Sequence, residues 1–414
     1  MKFGVNTEIA FTYMVSRHRQ TIVAALGVTF GIGMFIFINS LISGTNQWSE
    51  KIMLSSTPHL RLYTDSRWCD TKLLDKYESK GTVHLISNPR YVNTTNNIIN
   101  PDNVIQLLSQ YEEITKMSKQ VSSNVIYSNN NLQENGSVVG VNIIEQDDMF
   151  DISSSMISGS VKALAENNNG IIIGAGLSKK LNVKKGDYIT LATGNGFTKR
   201  LQVTGIFKTT VKAVDNGKSY TNVPVVQQLL QKDRGYITDI YINIKDYNRT
   251  SGLADKIQRQ TGYAVETWQS TNEQSLAGKK IRDIIANAVV ITILLVAGFG
   301  IYNILNMVIY EKMKEIAILK ATGFQGLDVI SIFIKQASLI GLVGTIGGLL
   351  FGWSVSYFVS RIYLGVGSVT YLPVTFQFKH YAQGSVFGLI TAFLAGYIPA
   401  RKAAKVDPIK IIRG

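Results

Sequence analysis

Four apolar blocks dominate this chain, at residues 21–42, 284–309, 329–359 and 385–398. A bilayer core about 30 Å thick needs roughly 20 consecutive apolar residues in helical form. In hydrocarbon every backbone N–H and C=O must also be bonded within the protein, and a helix meets that demand by itself. The first three blocks reach this length, and the fourth reaches it when widened to 381–399. Four spanning helices are therefore expected. The first block outruns the roughly 7–15 residues of a signal-peptide core and no A-x-A-like site follows it, so it reads as a retained anchor.

Charge sets the orientation. Lys2, Arg17 and Arg19 precede the first span, and Lys312, Lys314 and Lys320 lie between the second and third. Arg401, Lys402, Lys405, Lys410 and Arg413 follow the fourth span, whereas the loop between the third and fourth holds only Arg361 and Lys379. By the positive-inside rule both ends and the 311–328 segment face the cytoplasm. Residues 43–280 are then extracytoplasmic. The net charge of +14 over 414 residues sits largely in these flanks, where topology and anionic lipid account for it, so no nucleic-acid partner is expected. Cys69 is the one cysteine, which excludes an internal disulfide and reads as a small buried residue.

The organisation follows. Residues 1–20, with Ile9, Tyr13 and Met14 on one side, suit an interfacial helix before span one at 21–42. Span two is placed at 281–310, span three at 329–359, span four at 381–399, and a tail at 400–414. Helical patterning runs from about 275 to 310, near 50 Å at about 1.5 Å per residue, so span two is expected to project beyond the bilayer. Glycines at 27/31 and 344/348/352 allow close helix contacts, within the chain or between chains. Lys335 is expected to snorkel to the inner interface.

Residues 43–280 read as mixed α and β. Strands are expected at 59–63, 137–141, 170–173, 188–192, 201–207 and 237–244, and helices at 102–110, 177–181 and 250–262. The two ends would build one subdomain, with a second inserted at about 125–225.

Nothing reads as an active site. GxxxxGK[ST], GxSxG and HExxH are all absent, and His18, His59, His84 and His380 show no ligand spacing, so neither catalysis nor a bound metal is expected. The remaining feature is EKMKEIAILKATGF, residues 311–324, a charged amphipathic segment between two spans. Its apolar positions 313, 316, 317 and 320/321 fall on one face of a short helix.

This layout resembles the ABC-transporter permeases of the MacB/FtsX-like superfamily, and within it the lipoprotein-releasing permeases LolC and LolE. The segments that carry the likeness include EIAFTYMVSRHRQT, TPHLRL, GIIIGAGLSKKLNVKKGDYITL, YAVETWQSTN, EKMKEIAILKATG and PARKAAKVDPIKIIRG. The resemblance implies four transmembrane helices and a large α/β periplasmic domain in a bacterial inner membrane. ATP and Mg would act through a separate LolD-like ATPase dimer and not through this chain. Residues 311–324 would be the coupling helix, with Glu311, Lys312, Glu315 and Lys320 as polar contacts, Ile316 and Leu319 as apolar anchors, and Gly323 at its end. Span two would move as a lever. A second permease, homologous or identical, would complete a cleft for a lipoprotein's acyl chains, lined by Phe30, Met34, Phe37, Phe299 and Ile301. A LolA-like carrier would receive the cargo. A MacB-like efflux permease and an FtsX-like mechanotransmitter are the alternatives.

Overall fold

The computed structural model describes residues 5–65, 96–366, 369–407, 409 and 411; Cys69 and His84 lie outside them. Seven helices frame the described chain: α1 (Val5–Ser16), α2 (His18–Ser56), α3 (Thr250–Thr261), α4 (Glu273–Glu311), α5 (Met313–Ala321), α6 (Gly326–Ser360) and α7 (Phe378–Ala404). Of these, α2, α4, α6 and α7 are long and apolar enough to cross a membrane. Helix α2 continues well past the apolar block that ends at 42, through Gly44, and ends at Ser56, shortly before Pro58. The chain divides into two compact units, Met1–Ser49 with Ser275–Gly414, and Glu50–Gln274.

The helical unit is held by close backbone approach. Gly344, Gly348 and Gly352 of α6 lie along Val28, Ile32 and Ile36 of α2. A Cβ placed on Gly348 would sit 2.7 Å from Ile32 Cβ, which no real pair tolerates without movement. The seam thus works within one chain. By contrast, a Cβ on Gly27 would meet nothing within 4 Å. Around the seam, Val28, Ile32, Phe35, Ile36, Val290, Ile301, Leu305 and Ala337 form a buried cluster. A short hairpin, Tyr363–Val366 with Val369–Tyr371, lies between α6 and α7, where only a loop was expected.

The second unit is organised by one sheet. Its strands are β1 (Leu60–Tyr63), β2 (Ile114–Asn129), β3 (Leu132–Val141), β4 (Met156–Gly159), β5 (Gly170–Gly174), β6 (Tyr188–Ala192), β7 (Thr198–Phe207), β8 (Lys218–Asn222), β9 (Asp239–Ile244) and β10 (Ala264–Thr267). Pairing runs β2–β3–β8–β5–β7–β6 and returns to β2, closing a six-stranded barrel. Barrels this small fill with side chains. Val121, Tyr127, Val138, Ile171, Ile189, Leu191, Leu201 and Val203 are all buried together, and the Tyr127 hydroxyl meets the Ser137 carbonyl at 2.8 Å. The other half of β2 carries a wing: β9 pairs with residues 114–120, β1 with β9, and β10 with β1.

The 125–225 segment expected as an inserted subdomain supplies most of the barrel and encloses a smaller cluster of its own, including Val139, Ile152, Leu164 and Phe207. It is not a separately cored body, however. Strand β2 serves both barrel and wing, and the main cluster joins Leu60, Leu62 and Ile242 of the wing to Ile171 and Leu201 of the barrel.

The glycine seam yields a direct test. Gly348→Val forces α6 away from Ile32 and the Thr29 carbonyl, and should cost about 2 kcal/mol of stability as an overpacked core site. Gly27→Ala should leave stability unchanged or slightly raised. Thermal unfolding of the full chain in nanodiscs measures both, and equal effects would contradict the seam.

Candidate functional site

Helix α5 is separated from α4 by the single residue Lys312, whose φ of −95° and ψ of 7° leave the helical track. Its end is a Schellman motif: Gly323 adopts φ +107°, Gly323 N–H donates to the Lys320 carbonyl, and Phe324 N–H donates to the Leu319 carbonyl. A residue with a side chain would be strained at that φ, so Gly323 shapes the helix end. Gln325 and Asp328 then form a capping box that starts α6.

The inner face of α5 is fully committed. Ile316 (1% exposed) packs with Ala10 and Tyr13 of α1, Val308 and Ile309 of α4, Val329, Ile332 and Phe333 of α6, and Ala400 and Ala403 of α7, and Ala317 beside it is also buried. The expectation that Ile316 anchors a partner is therefore corrected: it anchors the chain to itself. Lys320 is corrected likewise. Its Nζ donates to the Ala404 and Val406 carbonyls, at 2.9 and 2.7 Å, where α7 ends and its last carbonyls lack helical partners. A cation there also complements the helix dipole.

The remaining predicted residues divide. Glu311 pairs with Arg17 at 3.0 Å, tying α4 to the α1–α2 junction. Lys312 pairs with Glu315 and sits 5.1 Å from the centre of the Tyr13 ring. Leu319 is half-buried, whereas Glu315 is exposed. The outward stripe contains residues that sequence reasoning passed over: Lys314 and Ile318, the latter 56% exposed, with Leu327 also exposed at the start of α6. Of the face expected at 313, 316, 317 and 320/321, 316 and 317 are buried, 313 and 320 half-buried and Ala321 exposed, and the opposite positions 314, 315 and 318 face outward. Helix α1 is bound into this base too, through Lys335 Nζ to Thr7 Oγ1 at 2.9 Å and Asn6 Nδ2 to Asp328 at 3.3 Å.

The proposed cleft residues do not share one environment. Phe30 and Phe299 are exposed, and Met34 and Phe37 are half-buried. Phe30 stands edge-on to Phe351, with centroids 5.1 Å apart. Ile301 is wholly buried in the cluster with Val28 and Leu305, so it lines no open cleft; this expectation too is corrected. Within the chain α2 and α4 are already joined. A Cβ on Gly31 would meet Ala297 at 3.2 Å, and Asn46 accepts from Arg282 (3.2 and 3.0 Å) while donating to Asp283 at 2.8 Å. Among the described residues, no group of three His, Cys, Asp or Glu side chains is placed to hold a metal.

Two outcomes follow from the packing. Ile316→Ala should lose about 2–4 kcal/mol of stability as a core truncation, and Ile318→Ala less than about 0.5 as a surface change, both read by unfolding in nanodiscs. Burial, followed by the charge and hydrogen bond of Glu315, pushes the Tyr13 hydroxyl from 10.0 up to about 12. The folded base thus favours the neutral phenol, a contribution intact below pH 10 and lost as pH climbs towards about 12. Tyr13→Phe should flatten that alkaline limb of the stability curve.

Two domain families match successive parts of the chain. Residues 21–260, more than half of it, match the MacB-like periplasmic core domain, and residues 287–408 match the FtsX-like permease C-terminal domain. The lipoprotein-releasing system transmembrane protein LolC of Neisseria meningitidis is 22% identical over 99% of both chains. LolC of Haemophilus influenzae is 23% identical over 100% of both. The pyoverdine export ATP-binding/permease protein PvdT of Pseudomonas entomophila is 27% identical over 44% of this chain and 27% of its own length. Two membrane-embedded halves around a periplasmic-type α/β domain, matched in order along the sequence, place the assignment beyond the helices alone: this chain belongs to the MacB/FtsX-like superfamily of ABC-transporter permeases.

Proposed function

We propose that this chain is the permease subunit of an ATP-driven complex that extracts lipoproteins from a bacterial inner membrane and hands them to a periplasmic carrier. The observation that carries this reading is the end-to-end likeness to two LolC proteins, against partial likeness to the exporter PvdT. ATP and Mg are bound by a LolD-like ATPase dimer, which meets the outward stripe Lys314, Glu315 and Ile318 of α5. Closure of the ATPase pair displaces α5, and with it α4, α1, α6 and α7, because their side chains share one buried cluster. A second permease, identical or homologous, contributes the opposing wall of the cleft, with Phe30 and Phe299 towards the acyl chains.

An export permease of the MacB kind is the second reading, favoured by the match to PvdT. The two part on cargo. Purification in native-like membrane should co-isolate an ATPase and a triacylated protein; an adaptor with an outer-membrane channel, and no acylated protein, would sink the first reading. Ile318→Asp should weaken ATPase capture about tenfold, as expected for loss of an apolar anchor, with stability unchanged.

A further inference from the structure

The segment YAVETWQSTN has no role in the reading above, yet in the α/β unit it builds a joint. Trp268 (3% exposed) follows β10 and opens a single helical turn, Trp268–Thr271, immediately before α4 starts at Glu273. Its indole Nε1–H donates to the Tyr247 carbonyl at 2.7 Å, and its backbone N–H to the His59 carbonyl at 3.0 Å. The Tyr247 ring stands edge-on to the indole, with centroids 5.9 Å apart, and also packs against His59. The Ile244 N–H lies 3.0 Å from His59 Nδ1, at the end of β9.

The same joint reaches the end of α2. The charge of Glu50, on the last turns of that helix, raises the pKa of the Tyr247 hydroxyl, which places the two groups near each other. Asn272 Nδ2 donates to the Trp268 carbonyl at 2.8 Å and to Thr57 Oγ1, one residue beyond α2, at 3.4 Å. A capping box between Thr267 and Ser270 fixes the turn itself. The indole thus holds the turn after β9 through Tyr247, while the backbone of the same residue bonds the His59 carbonyl ahead of β1 and the Asn272 amide at the entry to α4.

We propose that Trp268 is the positioning residue that makes the wing strands β1, β9 and β10 follow the ends of α2 and α4. This rests on the coupling reading above but not on the nature of the cargo. Discrete packed elements of this kind, and not flexible connections, carry displacement from one site to another.

The test uses the full chain with its ATPase in nanodiscs. Hydrogen exchange of β1, β9 and β10 is compared with and without a non-hydrolysable ATP analogue, alongside the ATPase rate. The wild type should show an analogue-dependent change in all three strands. Trp268→Ala should retain ATPase capture and hydrolysis while the analogue-dependent change falls about tenfold, the scale of a lost coupling term. Trp268→Phe, which keeps the ring but not the N–H donor, should fall between. If Trp268→Ala does not fold, Trp268→Phe and Asn272→Ala decide the matter. Variants that transmit the change as the wild type does, or a wild type that shows none, would overturn the proposal. Failure to capture any ATPase would instead sink the coupling reading beneath it. Absence of a lipoprotein touches neither, because exchange is read without cargo.

Discussion

The withdrawal of Ile316 and Ala317 from solvent governs the base that α1, α4, α5, α6 and α7 build together. An isoleucine fully buried contributes roughly 2–3 kcal/mol. The ion pair between Arg17 and Glu311, with side chains 44% and 35% exposed, is worth about 0–1 kcal/mol. Apolar packing, not the charges that make the 311–324 segment conspicuous, therefore fixes the orientation of α5. Its consequence is mechanical. Under the proposed coupling, a helix seated among α1, α4, α6 and α7 moves that packed base as a whole and does not pull one span like a lever.

The glycine seam and the polar tie at Asn46 serve the same end within the helical unit. Close approach along Gly344, Gly348 and Gly352 brings α6 onto α2, while Arg282 and Asp283 satisfy both ends of the Asn46 amide. With α2 and α4 already in contact, Phe299 and Phe30 remain exposed. In the α/β unit the long strand β2 has the equivalent duty, since half of it closes the barrel and half carries the wing.

The spans were legible in the sequence because hydrophobic length is a local property. The extension of α4 was legible from its helical patterning, whereas α2 runs to Ser56 through residues such as Asn46, Ser49 and Glu50, which lie outside the apolar block. Strand β2 was missed because buried Ser118 and Gln120 interrupt the apolar alternation that marks a strand. The register of α5 was readable, but the fate of its faces was not. Ile316 and Ile318 are chemically alike, and what separates them is contact with α1 and α7, far away in sequence. Lys320 shows the same limit, because its acceptors are carbonyls at the end of another helix. The tie between Asn46 and Asp283 spans 237 positions and carries no local signal.

In the proposed complex α5 presents its 314/315/318 stripe to the ATPase and keeps 316 inside. Single cysteines at 316 and 318, in a Cys69→Ser background, can be probed with a membrane-impermeant maleimide in inside-out vesicles, with and without the ATPase. The cysteine at 318 should label readily and become protected when the ATPase binds, while the one at 316 stays unlabelled throughout. Ready labelling at 316 with ATPase-dependent protection there, and indifference at 318, would contradict the account.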